Sequence, residues 1–401
     1  MADRNVSATR LIHHPYQAPT GFAAPQGPVY KASTVFFPSV AAMREREWKD
    51  KSAYTYGLHG TPTTYVLEER LATLEGGQHC LLVPSGLAAI GMVNLSLLRP
   101  GDEVLLPENI YGPNRALAEG ELADFGITHQ MYDPLSPTDL QSKLSSRTKL
   151  VWLEAAGSVT LEFPDLLAMV ALCRKAGVMT CLDNTWGAGL AFRPFALAPD
   201  LAVDISIHAL TKYPNGGGDV LMGSIVTADR ALHLRLLHCH MRLGLGVGAN
   251  DAEAVLRGLP SMPLRYKAHD EAARQLAQWA TSQSAFAQVL HPALPDSPGH
   301  SHWKNLCGDA LGRAAGLFSV VIDAQYEQAQ VDAFCDALQL FKLGYSWGGP
   351  VSLVVPYDMR QMRNQFISHL KPGALVRFSI GLEEVQDLQA DLAQAMAKAF
   401  A

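Results

Sequence analysis

A lysine can serve as a nucleophile if it is held partly out of water beside a site for an electrophile. Lys212 has the right surroundings for this. The apolar run from Ala202 to Ile207 reads as a buried strand, and the chain breaks at Pro214-Asn215-Gly216-Gly217-Gly218. Lys212 therefore falls just past a strand end, where an α/β sheet presents its chemistry. Desolvation there lowers the pKa of the amine, which can then attack a carbonyl and form a Schiff base. Taken alone, a surface lysine after a strand is the plainer reading.

Two further stretches add chemistry. Val178 to Leu182 is strand-like, so Asp183 also lies at a strand end. Its carboxylate could form a plain ion pair with a lysine. It could also face the pyridinium nitrogen of pyridoxal 5'-phosphate (PLP) and keep that ring an electron sink. Upstream, Ser85 is a good cap for an apolar helix running to about Leu98, and Gly86 lets a ligand approach the backbone. Free N–H groups and the dipole at a helix start bind phosphate, although an ordinary capped helix would look the same. Arg377 lies in the alternating strand pattern Ala374–Ile380. A cation in such a place needs a partner to offset desolvation, and an internal carboxylate is the plain reading.

The elements that would position these residues alternate along the chain. Helix is expected from Pro62 to Glu75, with Val66, Leu67, Leu71 and Leu74 on one face and Glu68, Glu69 and Arg70 outside. Strands are expected near Cys80–Val83, Asp102–Pro107, Ile127–Tyr132, Lys149–Leu153 and Val178–Leu182, with helices at Pro137–Leu144 and Pro164–Ala176 between the later ones. This is the pattern of βαβ units and a mostly parallel sheet. Strands at Phe318–Ile322, Leu353–Val355 and Ala374–Ile380, and helices at Gln328–Leu338 and Glu383–Phe400, make a second set. Residues 1–60 read as an arm interrupted by prolines, among them Pro15, Pro19, Pro25, Pro28 and Pro38.

Composition removes several functions. The 401 residues carry a net charge of −6 and no cluster of lysines and arginines, which speaks against nucleic acid. Only 17% of residues are charged, below the roughly 25% of average proteins, as expected when much surface is buried between subunits. The six cysteines form no CxxC pair and read as buried free thiols. His13 and His14 are adjacent, point to different sides and are not a metal pair; no metal site is expected. Leu243-Gly244-Leu245-Gly246-Val247-Gly248 imitates a nucleotide loop but follows no strand. Without a signal-like start or an apolar run near ~20 residues, the expected location is the cytoplasm and no membrane contact is expected.

From Tyr54 to Leu388 the chain resembles the Cys/Met-metabolism family of PLP enzymes, the trans-sulfuration enzymes. The motifs are Tyr56-Gly57, Gly60-Thr61-Pro62-Thr63, Leu74-Glu75-Gly76-Gly77, Asp183-Asn184-Thr185-Trp186, Thr211-Lys212-Tyr213, Tyr345-Ser346-Trp347-Gly348-Gly349, and Arg377 through Gly381-Leu382-Glu383. The resemblance implies an α/β protein of PLP-dependent transferase fold type I (aspartate aminotransferase-like). Its large domain holds a mostly parallel mixed sheet, and a smaller α+β domain follows. The divisions are an arm at 1–60 that contacts a neighbouring subunit, a PLP-binding domain at 61–259 and a C-terminal domain at 260–401.

The resemblance also implies roles. Lys212 holds the cofactor and later moves the α-proton. Asp183 faces the ring nitrogen, and Tyr111 stacks on the ring. Gly86, Leu87, Ala209 and Thr211 line the cofactor, with Tyr56 reaching in from a neighbouring chain. Arg377, Ser346, Trp347 and Tyr345 meet a small sulfur amino acid. The nearest branch is the cystathionine β-lyases, which release homocysteine, pyruvate and ammonia from L-cystathionine. Trp186 after Asp-Asn-Thr, and Tyr345 where the γ-type enzymes tend to carry glutamate, point to that branch. A γ-synthase, a γ-lyase, a lyase for another cysteine conjugate and a degenerate binding protein are the alternatives. The family's usual assembly is a tetramer, a dimer of dimers. Two positions depart from the pattern: Leu58 replaces a phosphate-binding arginine, for which His59 or Arg115 is the candidate substitute, and Gly217-Gly218 replace His-Ser.

Overall fold

In the computed structural model, residues 8–13, 20–21, 24, 26–49, 51–363 and 368–400 are described. His14, Pro15, Pro19 and Pro25 lie outside them. Seven strands make the larger sheet: β1 (His79–Val83), β2 (Glu103–Pro107), β3 (Thr128–Tyr132), β4 (Thr148–Glu154), β5 (Met179–Asp183), β6 (Ile205–Ala209) and β7 (Gly223–Thr227). Their order is β1-β7-β6-β5-β4-β2-β3. From β6 to β3 every pairing is parallel, and β7 runs antiparallel to both of its neighbours.

The expected mostly parallel sheet is therefore present, with one reversed strand that the sequence pattern did not announce. The strand before Lys212 is also displaced: the apolar run at Ala202 predicts an earlier start than Ile205–Ala209. The register with β5, in which Asp183 pairs with Ile207, decides where the ladder begins.

Helices cover both faces. The Gly86–Leu97 and Arg230–Leu243 helices bury Ile90, Val93 and Leu236 against Ile205, Ile207 and Ile225. The other face packs Leu67, Leu71 and Leu74 of the Pro62–Glu75 helix with Leu82 and Leu182. Strands buried on both faces need near-continuous apolar sequence, as in β2, whose five residues are all buried.

A second sheet has the order β10-β11-β12-β9-β8, from β8 (Phe286–Leu290), β9 (Leu317–Asp323), β10 (Lys342–Leu343), β11 (Leu353–Tyr357) and β12 (Gly373–Ser379). It is antiparallel except between β10 and β11. Its core joins Phe318, Phe334, Phe378 and Leu388, under the Met262–Ala280, Gln328–Ala337 and Val385–Ala399 helices. Apart from three short helices, Ala8–Ile12, Val40–Arg44 and the 3-10 turn Gly57–His59, the described arm is irregular.

The arm changes one expectation. Glu68 and Arg70, placed outside by helical periodicity, are 7% and 8% exposed. Lys51 pairs with Glu68, and Tyr30 N–H donates to Thr63, so arm residues lie over this end of the helix.

Candidate active site

The chemistry-bearing residues meet in one cavity of about 590 Å³. It lies at the carboxyl ends of β4, β5 and β6, between the two sheets, where open α/β folds bind ligands. Gly86, Leu87, Tyr111, Asp183, Ala209, Thr211, Lys212, Tyr345, Ser346, Trp347 and Arg377 all line it. Tyr56 does not. It is 48% exposed on the arm, so the cavity of a single chain is formed without it.

Each residue is held by an identifiable local device. The Ser85 hydroxyl accepts from Ala88 N–H at 3.0 Å and starts the Gly86–Leu97 helix. A side chain at Gly86 would sit 2.8 Å from the Ala209 methyl, and one at Gly223 would lie 2.4 Å from the Ser85 carbonyl oxygen. Only glycine lets the sheet edge and the helix start approach so closely. Ala209 N–H donates to the Thr185 hydroxyl at 3.0 Å, and Thr185 N–H donates to Asp183 at the same distance. Thr185 thus ties the ends of β5 and β6 together. The backbone N–H of Tyr111 donates to the Glu154 carboxylate at 2.7 Å, so Glu154 braces the loop.

Lys212 Nζ donates to the Ser346 hydroxyl at 2.9 Å and lies 5.3 Å from the Trp347 ring. Burial, with the nearby Arg377 charge, lowers its pKa to about 8 against the opposing pull of Asp183. The unfolded chain, with its ordinary value of 10.5, binds more protons between about pH 8 and pH 10.5. Stability of the cofactor-free protein should therefore rise with pH across that window. Relative to a Lys212→Met protein, urea unfolding of the wild type should gain about 2–3 kcal/mol between those limits. A constant difference between the two proteins would contradict the shift.

Arg377 sits mid-strand in β12, paired with Val355 and Ser319, and is 5% exposed. Its guanidinium donates to the Ser158 carbonyl at 3.0 Å and lies 5.3 Å from the Tyr357 ring. Among the described residues no carboxylate pairs with it, so the internal-acid alternative is not realised. Burial lowers its pKa, opposed only by the phenols of Tyr357, Tyr111 and Tyr345. A buried cation without an anion, facing a cavity, is prepared for an anionic ligand.

Burial pushes the Asp183 carboxyl up, and the hydrogen bonds from Thr185 oppose it. Tyr111 keeps its phenolic proton, because burial and the charges of Asp183 and Glu154 raise its pKa.

The proposed substitutes for the missing arginine are already engaged. Arg115 pairs with Glu119 at 2.7 Å and donates to the Met362 carbonyl at 2.9 Å. His59 shares a hydrogen bond with Thr55 at 2.7 Å and stacks on Trp48. In the glycine run, Asn215 donates to Asp219, and Gly218 packs 3.9 Å from a side chain built at Gly349, in the loop that carries Ser346 and Trp347.

Several wall residues escaped sequence reasoning: Val159, Leu221, Tyr357 and Met362. Met362 is followed by Arg363, whose guanidinium joins buried Glu162 at 2.6 Å, and His369 meets the same carboxylate at 2.8 Å. No local pattern signals such a wall, because its two halves are some two hundred residues apart.

These residues fit the cofactor that the resemblance implies. The amide N–H groups of Gly86 and Leu87, at a helix start, suit a phosphate. Lys212 offers an amine of lowered pKa, and Asp183 a half-buried carboxylate. Among the described residues there is no group of histidines, cysteines and acids placed to hold a metal, and no helix long and apolar enough to cross a membrane. All six cysteines are free thiols.

Residues 8–397 match the family described as "Cys/Met metabolism PLP-dependent enzyme". A putative cystathionine beta-lyase of Rhizobium johnstonii is 40% identical over 400 residues, covering 99% of this chain and 96% of its own length. The cystathionine beta-lyase of Bordetella avium is 37% identical over 396 residues, covering 97% of each. The crystal structure of cystathionine gamma-lyase from Lactobacillus plantarum complexed with L-serine superposes with a TM-score of 0.85 at 26% identity, covering 98% of this chain and 99% of that one. With its mixed sheet and smaller second sheet, the chain has the type I fold of PLP enzymes, and PLP is its cofactor. It belongs to the Cys/Met-metabolism family of PLP-dependent enzymes, as one of its carbon–sulfur lyases or synthases.

Proposed function

We propose that this enzyme is a carbon–sulfur lyase that performs α,β-elimination on L-cystathionine, yielding homocysteine, pyruvate and ammonia. The observation that carries the reading is the pairing, in one cavity, of an amine of lowered pKa with a buried guanidinium that has no internal acid. Arg377 takes the substrate α-carboxylate, with Ser346 and Trp347 closing that end. This fixes Cα near Lys212, whose free amine accepts the α-proton. Asp183 would face the ring nitrogen of PLP, Tyr111 would cover the ring, and the Gly86 and Leu87 N–H groups with Thr211 would hold the phosphate. When bound, the cofactor supplies the sink for the electron pair left at Cα. The bond between Cβ and sulfur then breaks, the thiol leaves with a proton, and water completes release of pyruvate and ammonia.

Two features favour the β-elimination branch. The relatives at 37–40% identity are named β-lyases, whereas the γ-lyase neighbour stands at 26%. Tyr345 also offers a phenol where a carboxylate would suit the γ-type substrate pose. The deciding experiment incubates the PLP-loaded protein with L-cystathionine and identifies the products. Pyruvate with homocysteine supports the reading; 2-oxobutyrate with cysteine replaces it by a γ-lyase. PLP binding without turnover of any sulfur amino acid leaves a binding protein.

The working unit we infer is at least a dimer, with Tyr56 of one copy completing the cavity of the other. Phe36, Val40, Tyr54 and Tyr56 expose large apolar surfaces along the arm, at 93%, 57%, 42% and 48%, and such sets mark interaction sites. Lys212→Ala and Tyr56→Ala proteins should each be impaired, and refolding them together should restore activity that neither has alone. Mixed chains as inactive as their parents would place Tyr56 outside the site.

A further inference from the structure

One buried acid joins three segments that wall the cavity. Glu162, in the loop after β4, is fully buried. Its carboxylate accepts from the Arg363 guanidinium at 2.6 and 3.2 Å and from the Asn109 amide at 3.3 Å. His369 Nε2 lies 2.8 Å from it, and the Thr160 hydroxyl also donates to it. Asn109 follows β2 and stands two residues before Tyr111. Arg363 follows β11 and is next to Met362, whose carbonyl is fixed a second time by Arg115 at 2.9 Å. Each of the three segments lines the cavity, through Tyr111, through Ser158 and Val159, and through Tyr357 and Met362. Replacing a buried ion pair by well-packed apolar residues is often neutral for stability, so stability does not require an acid here. What a carboxylate gripped by a guanidinium adds is direction.

The same loop holds the cation of the cavity. The Ser158 carbonyl accepts from Arg377 at 3.0 Å. Ser158 N–H donates to the Asn109 carbonyl at 3.3 Å, and Gly157 N–H donates to the Glu162 carbonyl at 3.0 Å. Leu161, inside this loop, has a φ of 57°. Non-glycine residues keep that left-handed conformation only where their surroundings fix it, and such places concentrate at ligand clamps. We propose that Glu162 is a positioning residue for the substrate α-carboxylate. Through the Asn109 side chain and the Gly157–Glu162 loop it aims the Ser158 carbonyl, and so the Arg377 fork; through Arg363 it sets the Met362 wall. Every link from Glu162 to Arg377 is a hydrogen bond. Burial alone would push the Glu162 carboxyl up, but the Arg363 charge and the His369 hydrogen bond outweigh it and hold the carboxyl well below its ordinary range. The acid thus stays ionised at neutral pH.

This role rests on Arg377 docking the substrate carboxylate, so Arg377→Leu is measured beside it. The probes are glycine and methylamine, the same amine with and without a carboxylate. Their dissociation constants are read from the change in visible absorption of the PLP-loaded protein. Glu162→Gln should weaken glycine about tenfold, inside the roughly hundredfold that a misplacement of about 1 Å can cost, and leave methylamine as in the wild type. Asn109→Ala keeps the Glu162–Arg363 pair and cuts only the link between Glu162 and the Asn109 side chain. It should weaken glycine selectively as well, and it carries the test if Glu162→Gln fails to fold. Glu103 supplies the control. It is a buried carboxylate at the far end of β2, bonded by Gln130, Thr148 and Ser145. Glu103→Gln should lower the melting temperature and leave both dissociation constants unchanged. Wild-type glycine affinity in both Glu162→Gln and Asn109→Ala, beside a weakened Arg377→Leu protein, would overturn the positioning role. So would an equal loss for methylamine, or an equal loss in Glu103→Gln. An Arg377→Leu protein that binds glycine as the wild type does would instead sink the docking role of Arg377 on which this one depends.

Discussion

Replacing Lys212 with alanine is expected to lower kcat by about 10⁴-fold, the upper range for loss of a positioned general base. Under the proposed mechanism two functions go at once: the covalent hold on the cofactor and the acceptor of the α-proton. Among the described residues no other amine lines the cavity. Arg377, the other cation there, stays protonated and cannot take over either task. Lys212→Arg should be as inactive as Lys212→Ala, because it restores charge without a nucleophilic amine. Borohydride reduction followed by peptide mass spectrometry should find PLP on the peptide containing Lys212 in the wild type and on no peptide of either variant. Misfolding is not an adequate explanation for such a loss. The substitution removes a cation that burial disfavours, so melting of the cofactor-free protein should hold or rise at neutral pH. Activity within tenfold of wild type in Lys212→Ala would refute the role.

Arg377 is the second position with a large expected effect. Arg377→Leu should reduce kcat/KM by about 10³-fold, equivalent to ~4 kcal/mol, in the range seen when one partner of a buried charge pair is removed. A guanidinium grips a carboxylate with two parallel hydrogen bonds, whereas an ammonium offers a point charge. Arg377→Lys should therefore recover only part of the loss. The fold should tolerate leucine, because β12 packs Phe378 and Val376 in the apolar core and Arg377 has no carboxylate to leave unpaired. Exchanging an unpaired buried cation for an apolar side chain is neutral or stabilising. Amino acids and their decarboxylated amine counterparts offer a direct check. The wild type should prefer the acid strongly, and Arg377→Leu should lose that preference. If both variants kept wild-type KM and kcat, the α-carboxylate would dock elsewhere.

Asp183 touches the cavity directly. Glu75 lies one layer behind it, bonded to Asn184, and is one of the residues that marked the family through Leu74-Glu75-Gly76-Gly77. A motif position can thus be held by chemistry that never meets the substrate.

Much of this enzyme was legible in one dimension. Ser85 capping an apolar helix, Lys212 and Asp183 at strand ends, and Arg377 in an alternating strand are local signals. They arise from hydrogen-bond geometry and from side-chain periods of 3.6 and 2. The alternation of strands and helices likewise determined an α/β sheet, since each βαβ unit folds from neighbouring residues. Other features depended on segments far apart in the chain. β7 enters between β1 and β6 because its antiparallel register buries Ile225 and Val226, a choice made by partners and not by the strand itself. Glu68 and Arg70 obeyed helical periodicity yet became buried when the arm covered them. Arg115 and His59 had donors that could replace the arginine absent at Leu58, but Glu119 and Thr55 engage them first. The sequence by itself determined which groups could do the chemistry and which elements carry them, because those follow from side-chain type and short-range periodicity. The tertiary structure alone decided which cation was left without an acid, which arginine met Glu162 and what walled the cavity, because pairing and desolvation depend on distances that only packing establishes.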